Sequence, residues 1–226
     1  TTKYTRKLGY KDEIGFCPTV NTNRYVNRLP SLPKNEYVGA LISIRTPSLM
    51  NIPIRFQSAI QEDINSFIDT LFESGHKRIR ILCNDSRDLD FAQQFKGTKN
   101  VDTLYTSDVY EYLGVLRDAT MVVSYRLHAT LPAISMGTPV VNILYDERGI
   151  SLCDDLNILS SGYNIVTDKN FRSKVCSLIN NGGYTKGNHS KTMGLWKEIS
   201  DMQFSKFDKF KNLVSIYVKD VKSKSD

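Results

Sequence analysis

Three arginines and one histidine in this sequence are suited to acid-base chemistry on an anion. Arg45 follows the apolar run Tyr37 to Ile44, and Arg126 and His128 follow the run Thr120 to Ser124. Arg148 ends the group Tyr145-Asp146-Glu147-Arg148, which follows the run Pro139 to Leu144. A guanidinium keeps its charge at every working pH, and its fork of N–H donors matches carboxylate and phosphate oxygens two at a time. Three of them imply a ligand with more than one anionic group. An imidazole, with a reference pKa near ~6.5, gives or takes a proton close to neutrality. Asp146 either orients a ligand hydroxyl or pairs with Arg148. Against this stands a plainer reading, in which Arg126 is a surface cation beside an acid and His128 a satisfied helix residue.

What decides between these readings is whether the elements bring the residues together. Tyr37 to Ile44 is rich in β-branched residues and reads as a strand. Ile60, Ile64, Phe67, Ile68 and Leu71 recur at helical spacing, with Gly75 as a stop. Arg78 to Cys83 reads as a second strand, and Asp85-Ser86-Arg87-Asp88 supplies caps for a helix through Phe95. Val101 to Tyr105 is a third strand, followed by a helix carrying Val109, Tyr112, Leu113 and Leu116. Thr120 to Ser124, a helix closed by Gly137, and Pro139 to Leu144 complete the alternation. Strand and helix in strict turn predict an α/β fold, a Rossmann-like doubly wound parallel sheet with strand order 3-2-1-4-5. In such sheets ligands bind beyond the carboxyl ends of the strands, where the order reverses. Arg45, Arg126, His128 and Tyr145 to Arg148 all fall on that rim, and independent surface charges would not be expected to gather there.

Composition narrows the classes. The chain has 226 residues with ordinary globular proportions, and 30 basic against 24 acidic residues give a net charge of +6. That balance suits anionic ligands. The basic residues are scattered, apart from Lys77-Arg78-Arg80 and the tail, so no nucleic-acid partner is expected. Cys17, Cys83, Cys153 and Cys176 lie far apart, which indicates neither a disulfide framework nor a zinc site. No metal-ligand spacing, Walker-type GxxxxGK[ST] or GxGxxG after the first strand is present, so no metal or resident cofactor is expected and ordinary ATP or NAD binding is disfavoured. No signal peptide and no apolar run of spanning length is evident, and a cytoplasmic location is the expectation.

Residues 1–36, with few apolar positions and several Pro and Asn, read as an extended segment or the remnant of a preceding domain. Asn21-Thr22-Asn23-Arg24-Tyr25 reads as a capped turn, with polar contacts to a substrate as the alternative. Residues 37–188 form the Rossmann-like unit, in which Gly149 to Leu156 is a short helix and Tyr163 to Val166 a last strand. Phe171, Val175, Leu178 and Ile179 follow at helical spacing. Gly182-Gly183 and Gly187-Asn188 mark a loop, and residues 189–226 form an amphipathic helical tail of one helix or two. The tail's stripe of Trp196, Ile199, Phe207, Phe210, Val214, Tyr217 and Val221 is expected to pack on the sheet or on a further domain. His76 and His189 read as structural.

The run SYRLHATLPAISMGTPVVNILYDER, from Ser124 to Arg148, resembles the C-terminal domain of the polysaccharide pyruvyl transferase family. Members carry S-x-R-L-H-A, then G-x-P-V-V, then Y-D-x-K. Here these are Ser124 to Ala129, Gly137 to Val141, and Tyr145 to Arg148, with Arg where the family often has Lys. The resemblance runs from about Tyr37 to Ile158 and implies one half of a GT-B fold, with the donor, phosphoenolpyruvate, bound mainly by this domain. It implies transfer of the pyruvyl group to two hydroxyls of a sugar, forming a cyclic ketal and releasing phosphate. By position, Arg126 and Arg45 would bind carboxylate and phosphate, His128 and Arg126 would be catalytic, and Ser124, Tyr145, Asp146 and Arg148 would line the substrate. The implied partners are a glycan or lipid-linked saccharide acceptor, with peripheral membrane contact through that acceptor, and an N-terminal domain too large for residues 1–36.

Three function classes stay open. They are a pyruvyl transferase of cell-surface glycan synthesis, the donor half of a GT-B glycosyltransferase using a nucleotide sugar, and a noncatalytic module for an anionic ligand. The first gives His128 beside Arg126 a use in enol chemistry that simple anion binding does not.

Overall fold

The computed structural model describes residues 19, 21–22, 24, 29–30, 39–97, 100–184 and 186–223. Six parallel strands form one sheet: β1 Ala40–Ile44, β2 Ile79–Cys83, β3 Val101–Tyr105, β4 Met121–Ser124, β5 Val140–Leu144 and β6 Gly162–Asn164. Their order is β3-β2-β1-β4-β5-β6, so the order reverses between β1 and β4 as the alternation predicted, and β6 extends the far edge. Ala40 to Ile44 is buried throughout. A strand covered on both faces reads as a continuous apolar run rather than an alternation, and ALISI is such a run. Edge strand β3, VDTLY, is buried only at Val101 and partly exposed beyond it.

Among the described residues six α-helices lie between the strands, α1 Ile54–Gln57, α2 Ile60–Glu73, α3 Leu89–Ala92, α4 Val109–Asp118, α5 Leu127–Met136 and α6 Glu147–Asp155, and α7 Phe171–Asn180 and α8 Lys186–Ser223 follow the last. They cover the sheet in two layers with separate cores. On one face Ile60, Ile64, Phe67 and Leu71 of α2 and Phe171, Val175 and Ile179 of α7 meet Ile42, Ile81 and Val123. Phe67 and Phe171 meet edge to face at 6.3 Å. Burying a side chain the size of Phe67 contributes about 1.5–3 kcal/mol. On the other face Leu116 of α4, Ala129 and Ala133 of α5, and Trp196 and Ile199 of α8 pack on Leu41, Leu82 and Val122. Gly162 is the point of closest approach along the β5–β6 seam. A Cβ there would lie 1.7 Å from the Asn142 carbonyl oxygen, so no larger residue fits.

Local chemistry moves several boundaries. Only Ala40–Ile44 of the first predicted strand is assigned, and Tyr37 and Val38 lie outside the described residues. The expected helix through Phe95 is broken into a 3-10 turn Ser86–Asp88, the single-turn α3 and a second 3-10 turn Gln93–Phe95. The last strand is Gly162–Asn164 rather than Tyr163 to Val166, because Asn164 turns the chain by accepting from the backbone N–H groups of Val166 and Thr167. Gly187-Asn188 does not form a loop: α8 is one helix beginning at Lys186. It packs through Trp196 and Ile199, and its stripe then runs on exposed at Phe207, Phe210 and Val214.

The described part of the N-terminal segment lies against this scaffold. Arg24 bonds Ser200 at 2.7 Å, pairs with Asp201 and stacks over Phe204 of α8, while Arg117 donates to the Leu29 and Pro30 carbonyls. Asn21 bonds Gln203, and Thr22 closes a turn onto Thr19. Asn21 and Arg24 therefore face α8, whereas Asn23 and Tyr25 lie outside the described residues. Cys83, Cys153 and Cys176 are free thiols. His76 bonds Thr120 at 2.8 Å, a structural contact.

Candidate functional site

The turn after β4 is built by Ser124. Its buried hydroxyl accepts from the Arg126 backbone N–H at 3.0 Å and donates to the Arg126 carbonyl at 2.9 Å. This holds Arg126 extended (φ −125, ψ 117) as the residue that opens α5, so its guanidinium leaves at the rim. Ser124 thus lies beneath the site, with its hydroxyl engaged by the turn.

His128 stands in the first turn of α5 and is exposed. Pro132, four residues on, has no N–H for the His128 carbonyl, a gap that usually weakens a helix. The Tyr112 hydroxyl points at that carbonyl from 3.5 Å. Tyr112 is held in turn by Asn84 at 2.6 Å, and Asn84 by Ser43 at 2.8 Å, so a polar chain from β1 supports the backbone under the histidine. Helix α5 runs through Pro132 to Met136 and ends at Gly137, whose left-handed φ of 90 suits a residue without a Cβ.

Two other rim loops supply the remaining groups. Arg45 leaves β1 and faces Asp85 at 3.7 Å. Asp85 caps the Ser86–Asp88 turn through the Arg87 backbone N–H and grips the Arg87 guanidinium, and these hydrogen bonds hold its carboxyl well below the usual carboxylate range. After β5, Asp146 caps α6 through the Gly149 N–H at 2.8 Å and accepts from Arg148 at 2.7 and 3.1 Å. Asp146 thus pairs with Arg148 and also lines the cavity.

Arg45, Arg126, His128, Tyr145, Asp146 and Arg148 line one cavity of about 520 Å³. Burial and the Asp146 charge raise the Tyr145 phenol, and Arg126, Arg45 and Arg148 all act to lower it. The field of all three cations thus reaches one phenol. Asn51, Arg87 and Asn142 also line the cavity without a motif to mark them, as does Asp85, which the sequence offers only as a cap. Asn142 sits mid-strand in an apolar run, fixed by Thr130 at 3.0 Å and Cys153 at 3.1 Å; an amide within such a run was the available signal. Among the described residues no group of three or more His, Cys, Asp or Glu could hold a metal ion, and no helix is long and apolar enough to cross a membrane.

Several solved structures share the fold. The E. coli heptosyltransferase WaaC, solved with ADP, superposes with a TM-score of 0.50 at 16% identity, covering 80% of this chain and 54% of that one. Trehalose-6-phosphate synthase OtsA gives 0.50 at 14% identity, covering 88% and 50%. The chain therefore spans about half the length of these two structures. Comparison with curated proteins finds no match. The polysaccharide pyruvyl transferase family model matches residues 2–147, which takes in the N-terminal segment that the motifs alone did not reach and stops one residue short of Arg148. With 146 of 226 residues matched (2 through 147), including the Arg126-Leu127-His128 block, this chain belongs to the polysaccharide pyruvyl transferase family.

Proposed function

We propose that this chain forms the donor site of an enzyme that moves the pyruvyl group of phosphoenolpyruvate onto two hydroxyls of a glycan sugar. The observation that carries the reading is the convergence of Arg45, Arg126, Arg148 and His128, from three separate rim loops, on one cavity. Phosphoenolpyruvate has a carboxylate and a phosphate, and two guanidiniums on different loops match two anionic groups. His128, as imidazolium, gives its proton to the C3 methylene, which leaves a cationic centre at C2. A sugar hydroxyl adds to C2 and returns its proton to His128. The second hydroxyl then forms the other ketal bond as the C2–O bond to phosphate breaks. Of the two hydroxyl protons, one balances that in the new methyl group and the other leaves on phosphate. Arg126 offsets the charge that grows on the leaving group.

The fold it shares with a heptosyltransferase solved with ADP makes a nucleotide sugar the rival donor. Calorimetric titration with phosphoenolpyruvate and a panel of nucleotide sugars separates the two. Binding of phosphoenolpyruvate alone, weakened about 100-fold in Arg126→Ala and kept within a few-fold in His128→Ala, is expected. Binding of a nucleotide sugar instead would assign glycosyl transfer.

A further inference from the structure

Asp88 is 0% exposed, on a turn otherwise made of polar residues. One carboxylate oxygen accepts from the Thr46 backbone N–H and from the Thr46 hydroxyl, both at 2.9 Å. The other, Oδ2, is buried with no hydrogen-bond partner among the described residues, and it lies 3.9 Å from Nη1 of Arg126. A carboxylate taken fully out of water is costly unless a cation faces it. Arg126 faces the orphaned oxygen directly, and the Arg87 guanidinium acts from the same turn. Asp88 in turn is the carboxylate that faces the Arg126 guanidinium. Their separation exceeds a hydrogen bond, so the attraction fixes the guanidinium without using up its N–H donors.

We infer that Asp88 is a positioning residue for the donor site, holding the Arg126 guanidinium so that its donors point at the phosphate or carboxylate of the bound anion. The inference rests on the proposed anion-binding role of Arg126. Thr46 is part of the same device: its two bonds to Asp88 join the β1 loop that carries Arg45 to the charge that steadies Arg126. A bystander carboxylate would have the opposite effect, since removing a negative charge beside an anion site tightens anion binding.

The test is Asp88→Asn, which keeps an oxygen for Thr46 and removes the charge. Phosphoenolpyruvate Kd, read by calorimetry, is expected to rise about tenfold with little change in Tm, and the effect is expected to fall below about twofold in an Arg126→Ala background. Unchanged or tighter binding, or an equal loss in both backgrounds, would overturn the inference. The Nε–Hε signal of Arg126 in nitrogen-15 spectra of the unliganded protein gives a readout independent of the donor. Slowed guanidinium rotation in the wild type that is released in Asp88→Asn is expected, and identical rotation in both would overturn the inference even if phosphoenolpyruvate does not bind. If the wild type itself does not bind phosphoenolpyruvate while the Arg126 signal responds as expected, the donor assignment falls and the positioning role stands. Should Asp88→Asn not fold, Thr46→Val releases one anchor of the same carboxylate. A rise in Kd of about threefold that vanishes in Arg126→Ala is then expected, and no change would overturn the inference.

Discussion

At the N-terminal ends of β2 and β3, Arg78 and Arg80 both donate to Asp102 at 2.6 to 3.0 Å. At the opposite rim, Arg45 and Arg126 face Asp85 and Asp88 across 3.7 and 3.9 Å. The residue types are the same at both ends of the sheet, and the density of cations is similar. What differs is commitment. A bidentate pair at hydrogen-bond distance spends its donors on the protein, whereas an ion pair near 4 Å orients a guanidinium and leaves its donors for a ligand. Cation content alone does not separate the two rims, and the distances do.

Substitutions at the two rims are expected to have unequal effects. Arg45→Ala removes one of the oriented cations, and phosphoenolpyruvate affinity measured by calorimetry is expected to fall about 30-fold, or about 2 kcal/mol. Asp146→Ala removes the cap of α6, and denaturant unfolding is expected to show a loss of about 1 kcal/mol. Arg148 is 86% exposed and already held by Asp146, so it resembles the committed arginines more than its rim neighbours. Arg148→Ala is expected to weaken phosphoenolpyruvate only about threefold.

The smallest effect is expected at the other rim and depends on pH. Burial alone would raise the Asp102 carboxyl, but the hydrogen bonds and charges of Arg80 and Arg78 outweigh it and bring the group below its ordinary value. A carboxyl depressed in the folded state stabilises the fold above its unfolded pKa, near ~3.9, and loses that contribution as pH falls through the folded value. Asp102→Asn is therefore expected to cost less than about 1 kcal/mol at pH 7, given solvent screening, and the gap from the wild type should close on acidification below about pH 4. A gap that stays constant across that range in unfolding titrations would show that packing, not charge, holds this rim.

Much of this was legible in the chain itself because period and punctuation carry it. Apolar runs ending at Arg45, Ser124 and Leu144, separated by helical spacing, were enough to predict the order of five strands and the rim on which Arg126, His128 and Arg148 meet. The part that was not legible is burial of polar groups. Asp85-Ser86-Arg87-Asp88 reads as a solvated cap, and nothing in the string separates Asp85, which lines the cavity, from Asp88, which is sealed beneath it. Ser124 had the converse problem: its place in the motif suggested a ligand contact, while the hydrogen bonds of the turn engage its hydroxyl from within. The tail shows a third kind of limit. One stripe from Trp196 to Val214 has a single period, yet Trp196 is 1% exposed and Phe210 60%, because periodicity marks a face and does not say where its partner ends.

The central claim is that uncommitted guanidiniums, not local cation density, define the site. It is tested most directly by measuring phosphoenolpyruvate affinity for Arg126→Ala and Arg78→Ala side by side. The account expects a loss of about 100-fold in the first, from charge-assisted hydrogen bonds to the anion, and less than about twofold in the second. Equal losses in the two variants, or affinity left undiminished by Arg126→Ala, would contradict it.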